Sequence, residues 1–187
     1  MAKPKISSDW LAGCAGCHMS LLDIDERIVD IVTAATLWST PITDLKHPPE
    51  EGVTVGILEG AVNNSTGEEV AKRMRERCNV LIALGDCAVF GGVPTMRNFV
   101  KMEDALRRAY VETESTDAEG KIPSDPELGK PETAKALSEV VKVDVELPGC
   151  PTTPEIFVDA VTSLLEGKPL SLPGKSVCDD CPLIREK

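Results

Sequence analysis

Residues 53–89, VTVGILEGAVNNSTGEEVAKRMRERCNVLIALGDCAV, decide the fold. Two apolar runs, VTVGILEGAV (53–62) and NVLIALGDCAV (79–89), are rich in Val, Ile and Leu. Near-continuous runs of that kind belong to strands buried on both faces, as the strands of parallel sheets are. Between them, TGEEVAKRMRERC (66–78) opens with a Thr or Ser cap and early glutamates and closes on basic residues. That charge order matches the dipole of a helix. Strand, helix, strand is a crossover unit, because parallel neighbours need a long connection.

The alternation extends both ways. VKVDVELPGC (141–150) predicts another strand and ISSDWLAGC (6–14) a weaker one, each followed by a segment with helical spacing. MSLLDIDERIVDIVTAATL (19–37) places Leu22, Ile28, Val29 and Val32 near one helical face. MRNFVKMEDALRRAYV (96–111) and PEIFVDAVTSLLEG (154–167) supply two further amphipathic helices. The expected fold is α/β, a flavodoxin-like doubly wound parallel sheet with helices on both faces, forming a single domain over residues 1–187. Residues 112–138 are polar and Pro/Gly-rich and are expected to be a long surface insertion. No internal repeat is present.

Composition narrows the function classes. The 187 residues suffice for one domain with a core. No stretch approaches the roughly 20 apolar residues of a membrane helix. MAKPKISSDW has neither the apolar core of a signal peptide nor a twin-arginine pair, so a cytoplasmic protein with no membrane partner is expected. The net charge of −11, from 31 acidic and 20 basic residues, argues against nucleic acid as a partner. Seven cysteines are many for the cytoplasm, where disulfides are usually reduced, and an odd number leaves no complete disulfide framework. Metal ligation is the economical explanation.

Four of the cysteines sit where ligands of such sheets gather. Cys14 and Cys17 follow the first expected strand, Cys87 ends the NVLIALGDCAV run, and Cys150 ends VKVDVELPGC. In parallel α/β sheets, ligands bind in the crevice beyond the carboxyl ends of the strands. Three strand ends thus deliver four thiols to one sheet edge. Four thiolates hold either zinc or an iron–sulfur cluster. Structural zinc is usually held by two short local pairs, whereas these ligands are scattered from Cys14 to Cys150, three of them beside glycines. Glycine lets backbone N–H groups approach a bulky object, which suits a [4Fe–4S] cube better than one ion.

At these residues the sequence resembles a known family. CAGC, LEGAV, GDCAVFGGVP and LPGCP, in this order, resemble the small, electron-transferring subunit of [NiFe] hydrogenases, related to the cluster-binding 20 kDa subunit of respiratory complex I. GCAGCHMSLLDIDE and GDCAVFGGVPTMRN resemble in particular the small subunit of soluble, NAD(P)-linked hydrogenases. The resemblance implies that Cys14, Cys17, Cys87 and Cys150 ligate one [4Fe–4S] cluster. It implies a Ni–Fe centre in a separate large subunit, and FMN and further iron–sulfur clusters in diaphorase-type subunits reducing NAD⁺ or NADP⁺. Electron bifurcation with ferredoxin fits the same logic. The complex I subunit has adjacent cysteines at the first position, whereas here two residues separate them.

Other residues have plainer readings alongside. The resemblance puts Glu59 close to the cluster, where it is expected to relay protons or bond the cluster's surroundings; otherwise it is a surface carboxylate at a strand end. His18 is an alternative ligand, a hydrogen-bond donor to cluster sulfur, or an interface residue. Turn chemistry accounts for Asn63, Asn64 and Ser65. Cys78, in RERCNV, reads as a buried structural thiol. Cys178 and Cys181 lie in a short C-terminal tail (170–187) and are expected to face a partner or serve structure. Two rival functions remain: a cluster subunit of a complex-I-like oxidoreductase, and a non-catalytic metal-binding flavodoxin-like module.

Overall fold

A computed structural model describes residues 3–45, 52–117, 119–172, 174–175, 178–179 and 181–185. In chain order the elements are β1 (Lys5–Trp10), α1 (Gly16–Leu22), α2 (Ile28–Ala34), β2 (Thr36–Ser39), β3 (Val53–Glu59), β4 (Val62–Asn64), α3 (Ser65–Arg77), β5 (Cys78–Leu84), α4 (Gly85–Phe90), α5 (Met102–Tyr110), β6 (Pro131–Lys135), β7 (Val145–Leu147), α6 (Pro154–Leu165) and α7 (Pro182–Arg185). Single 3₁₀ segments cover Asp25–Arg27, Val93–Phe99 and Leu137–Glu139.

Five of the strands form one parallel sheet in the order β2-β1-β3-β5-β7. The chain winds from β1 one way to β2 and the other way through β3, β5 and β7. This is the flavodoxin-like order, with its reversal between β1 and β3. Trp10 pairs with Glu59, Glu59 with Leu84 and Leu84 with Leu147, so four strands finish level with one another.

Successive residues of the central strands feed opposite cores, as the pleat requires. Ile57, Ile82, Leu84 and Leu147 pack against Phe157, Ala160 and Val161 of α6. Leu58, Leu81 and Ala83 face Ala71 and Met74 of α3, Ala88 and Val89 of α4, and Leu137. The sheet is therefore covered on both faces, as the uninterrupted apolar runs predict.

Several expected boundaries move. The 19–37 stretch is not one helix: Asp25 takes a positive φ of 53°, and a 3₁₀ turn separates α1 from α2. Residues 36–39 then form β2, which the helical spacing of that stretch does not announce. The 96–111 stretch likewise divides, because Pro94 lies in a 3₁₀ segment and α5 starts only at Met102. Cys87 is not at a strand end: β5 stops at Leu84, Gly85 turns the chain with a φ of +85°, and Cys87 lies on α4. Only 145–147 of the VKVDVEL run pairs in the sheet, since Asp144 is drawn aside to accept Leu81 N–H at 2.9 Å and to pair with Arg75.

The polar 112–138 segment is partly anchored on this chain. Its β6 pairs antiparallel with β4, and Asn98 exchanges two hydrogen bonds with the Ala134 backbone. Of the tail, Cys178 and Cys181 form a turn through Cys181 N–H to Cys178 O at 3.3 Å. Residues 173, 176, 177, 180, 186 and 187 lie outside the described residues, as do 1–2, 46–51 and 118. Among those described, no helix is long and apolar enough to cross a membrane.

Candidate metal centre

The loop after β1 is pinned to the end of β3. Leu11 N–H donates to Glu59 O at 2.7 Å, and Ala12 and Ala61 exchange two backbone bonds. A left-handed Ala15 then turns the chain into α1. The exposed Cys14 accepts Gly16 N–H at 3.4 Å through its sulfur, while Cys17 is buried in the first turn of α1.

The first turn of a helix has backbone N–H groups without partners, and Ala15 has no side chain that can cap them. Glu59 supplies the cap from β3. Its Oε1 accepts Cys17 N–H at 3.2 Å and its Oε2 accepts His18 N–H at 2.9 Å. The same Oε2 lies 2.5 Å from His18 Nδ1. His18 is fully buried and Glu59 nearly so, and the Trp10 ring meets the imidazole edge-on with centroids 5.8 Å apart. Burial pushes the Glu59 carboxyl up, but the His18 ring and the two N–H groups more than offset it, so it sits below the usual glutamate range. Glu59 is thus no surface carboxylate, and His18 packs inside the chain rather than at an interface.

Cys87 is half-buried on α4, and Cys150 is exposed in the loop after β7. Burial is the largest effect on both Cys17 and Cys87. It raises the Cys17 thiol to about 11, with Glu59, Cys87 and Cys14 adding to the rise and a Thr152 backbone bond opposing it. Burial raises Cys87 too, with Cys150, Cys14 and Glu59 adding and a Val93 backbone bond opposing. Cys87 thus lies within electrostatic reach of Cys14, Cys17 and Cys150, and Cys17 within reach of Cys14. The structure brings together all four cysteines singled out in the sequence, and Glu59 with them.

Among the described residues, no three His, Cys, Asp or Glu side chains converge as ligands of a single metal ion. A side chain at Gly85 would collide with the Cys17 sulfur, and one at Gly92 would come within 3.0 Å of that of Cys87. Gly16 N–H donates to the Cys14 sulfur, and the backbone of Thr152 and Val93 favours the ionised forms of Cys17 and Cys87. Cysteines on several segments, an N–H aimed at sulfur and a glycine cradle are the environment of an iron–sulfur cluster.

Some supporting residues escaped the sequence reading. Thr152 is buried; it donates through Oγ1 to Leu147 O at 2.9 Å, and its carbonyl accepts Ser20 Oγ at 2.5 Å, tying α1 to the Cys150 loop. No local signal links positions so far apart. Cys78, read from the sequence as a buried thiol, is one: it lies against Gly56 and Met74 at the start of β5. Asn64 caps α3 by accepting Gly67 N–H at 2.7 Å.

An apolar face adjoins the site. Phe90, Val93, Met96 and Phe99 are exposed, the last by 89%. No acidic residue occurs from 87 to 102, whereas Arg97 and Lys101 do.

The family described as "NADH ubiquinone oxidoreductase, 20 Kd subunit" matches residues 14–164. The chain belongs to this family. Among its relatives is a subunit of the F420-non-reducing hydrogenase vhu of Methanocaldococcus jannaschii, 38% identical over 97% of this chain and 63% of that protein. The NAD-reducing hydrogenase HoxS subunit delta of Cupriavidus necator is 37% identical over 91% of this chain and 83% of that protein. Against the F420-non-reducing hydrogenase relatives of M. jannaschii and Methanothermobacter thermautotrophicus, this member of the 20 Kd family spans only about three fifths of their length. A crystal structure of NAD⁺-reducing [NiFe]-hydrogenase in the H2-reduced state superposes with a TM-score of 0.88 at 36% identity, covering 92% of this chain and 97% of that one. The reduced Ni-Fe-Se hydrogenase of Desulfomicrobium baculatum shares the fold, with a TM-score of 0.61 at 18% identity.

Proposed function

We propose that this chain is the small, electron-transferring subunit of a [NiFe] hydrogenase of the soluble, pyridine-nucleotide-linked kind, working in the cytoplasm. The observation that carries the reading is the meeting of four cysteines from three segments beyond the level carboxyl ends of the sheet. Likeness to the HoxS delta subunit and to the NAD⁺-reducing enzyme supports the nucleotide-linked assignment.

Cys14, Cys17, Cys87 and Cys150 would hold one [4Fe–4S] cluster, losing their protons as metal binds. When bound, the cluster would take up and release single electrons. The chain's part is to hold the four sulfurs in one place, aim backbone N–H groups at them and keep water away from Cys17. Glu59, ionised near neutrality, would take up a proton from the pocket it lines with Trp10, Gly13 and Cys14 and return it there, while Oε2 stays engaged by the two N–H groups of His18. The Ni–Fe site belongs to a large subunit, docked on the exposed apolar face of Phe90, Val93 and Phe99. Diaphorase-type subunits with FMN and further clusters would complete the route to NAD⁺ or NADP⁺, or to ferredoxin as well. Neither nucleic acid nor a membrane is a partner.

The test is to purify the chain anaerobically with its natural partners and follow hydrogen-dependent reduction of a viologen dye. Nickel in the assembly, and dye reduction lost on Cys87→Ala while nickel is retained, support the reading. A nickel-free assembly that reduces a quinone would favour the complex-I-like alternative, for which membership of the 20 Kd family speaks. Zinc as the only metal would leave a non-catalytic module.

A further inference from the structure

Asp86 immediately precedes Cys87, and Gly149 immediately precedes Cys150. These two neighbours are joined by a reciprocal pair of hydrogen bonds. Asp86 N–H donates to Gly149 O at 2.9 Å, and Gly149 N–H donates to Asp86 Oδ1 at 2.7 Å. One backbone bond alone would leave a hinge. The carboxylate adds a second point of attachment, which fixes rotation as well as distance. Gly149 has a φ of +133°, and a Cβ there would lie 2.6 Å from Thr152 Cα, so only glycine presents its N–H in this way.

We infer that Asp86 is a positioning residue that sets the spacing of Cys87 and Cys150, acting through Gly149 without touching the metal. The inference rests on the reading that both cysteines are cluster ligands. The two bracing contacts fall one residue from each sulfur, whereas Cys17 is held by Glu59 through its own N–H, and Ser20 ties α1 to the Cys150 loop at Thr152. Asp86 is therefore the side chain that ties the third segment to the second. Without it, the one remaining backbone bond acts as a hinge, Cys87 and Cys150 turn about it, and the cluster is held in a spread of geometries.

The test compares wild type, Asp86→Asn and Asp86→Ala in the anaerobically purified complex, by loss of cluster absorption under an iron chelator and by EPR linewidth. Asn keeps the accepting oxygen and loses only the charge. Asp86→Ala is expected to lose iron about tenfold faster or more with a broadened signal, while Asp86→Asn stays within about twofold of wild type. Equal loss rates for Asp86→Ala and wild type would overturn the proposal. Asp86→Asn failing as badly as Asp86→Ala would also overturn it, because charge rather than positioning would then be the role. Should Asp86→Ala not accumulate, hydrogen exchange of the wild-type complex decides, read from overlapping peptides across 147–153. A slowly exchanging Gly149 amide supports the brace, and exchange at the rate of a free loop refutes it. A wild-type complex with no iron or sulfide would defeat the ligand reading instead, while the Gly149 amide would still report on the brace.

Discussion

Replacing Glu59 by Ala removes the acceptor of three donors: Cys17 N–H, His18 N–H and the His18 ring. A buried donor left without a partner costs about 1–3 kcal/mol. Glu59 lines a pocket of about 280 Å³ with Trp10, Gly13 and Cys14, so water can enter the space its carboxylate leaves and offset part of the loss. His18 is fully buried, and its two donors bear the full loss. Removing a buried carboxylate also relieves a desolvation penalty, which brings the expected destabilisation to about 2–4 kcal/mol. Glu59→Gln keeps one acceptor oxygen and should cost about half as much. Urea unfolding of the reduced, metal-free chain, followed by circular dichroism, measures both values without interference from a cluster. A Glu59→Ala chain within about 0.5 kcal/mol of wild type would rule out the buried cap, because exposed carboxylates behave that way.

Alkylation of the same metal-free chain near pH 8 should modify the exposed Cys14 and Cys150 first. Cys17, buried and raised to about 11, should react last of the four and more than about tenfold slower, and uniform rates would contradict the burial described here. Burial pushes Asp144 up, but Arg75 and Leu81 N–H more than offset it and hold it below the usual aspartate range. A carboxyl lowered on folding stabilises above its unfolded value of about 4, and that contribution fades as pH falls through the lower folded value. The melting-temperature gap between wild type and Asp144→Asn should therefore be full at neutral pH and close under acid, and a gap that widens in acid would contradict it.

The central strands were legible because β3 and β5 are buried on both faces, which leaves no polar alternation to confuse the reading. The same property hid the end of β5: GDCAVF is as apolar as the strand before it, and only the turn at Gly85 converts it to helix. Strand β2 was invisible because four residues, TLWS, follow directly on a helical pattern and owe their conformation to β1 alongside. Asp25 shows no break in apolar spacing, yet its positive φ ends one helix and lets the next begin. PETAK carries no apolar alternation, and it becomes β6 because β4 is there to pair with it. The cysteine positions were readable since each follows a strand or a turn glycine in sequence. The links that fix them, Glu59 to His18, Ser20 to Thr152 and Asp86 to Gly149, join residues 41, 132 and 63 positions apart, and nothing local announces them.

The claim on which the rest depends is that Cys14, Cys17, Cys87 and Cys150 hold one [4Fe–4S] cluster. Iron and acid-labile sulfide analysis with EPR, on the anaerobically purified complex beside its Cys87→Ala variant, tests it most directly. About four iron and four sulfide assignable to this chain are expected, with a reduced-cluster signal that the variant lacks. One zinc without sulfide, or an iron–sulfur signal that survives Cys87→Ala unchanged, would contradict it.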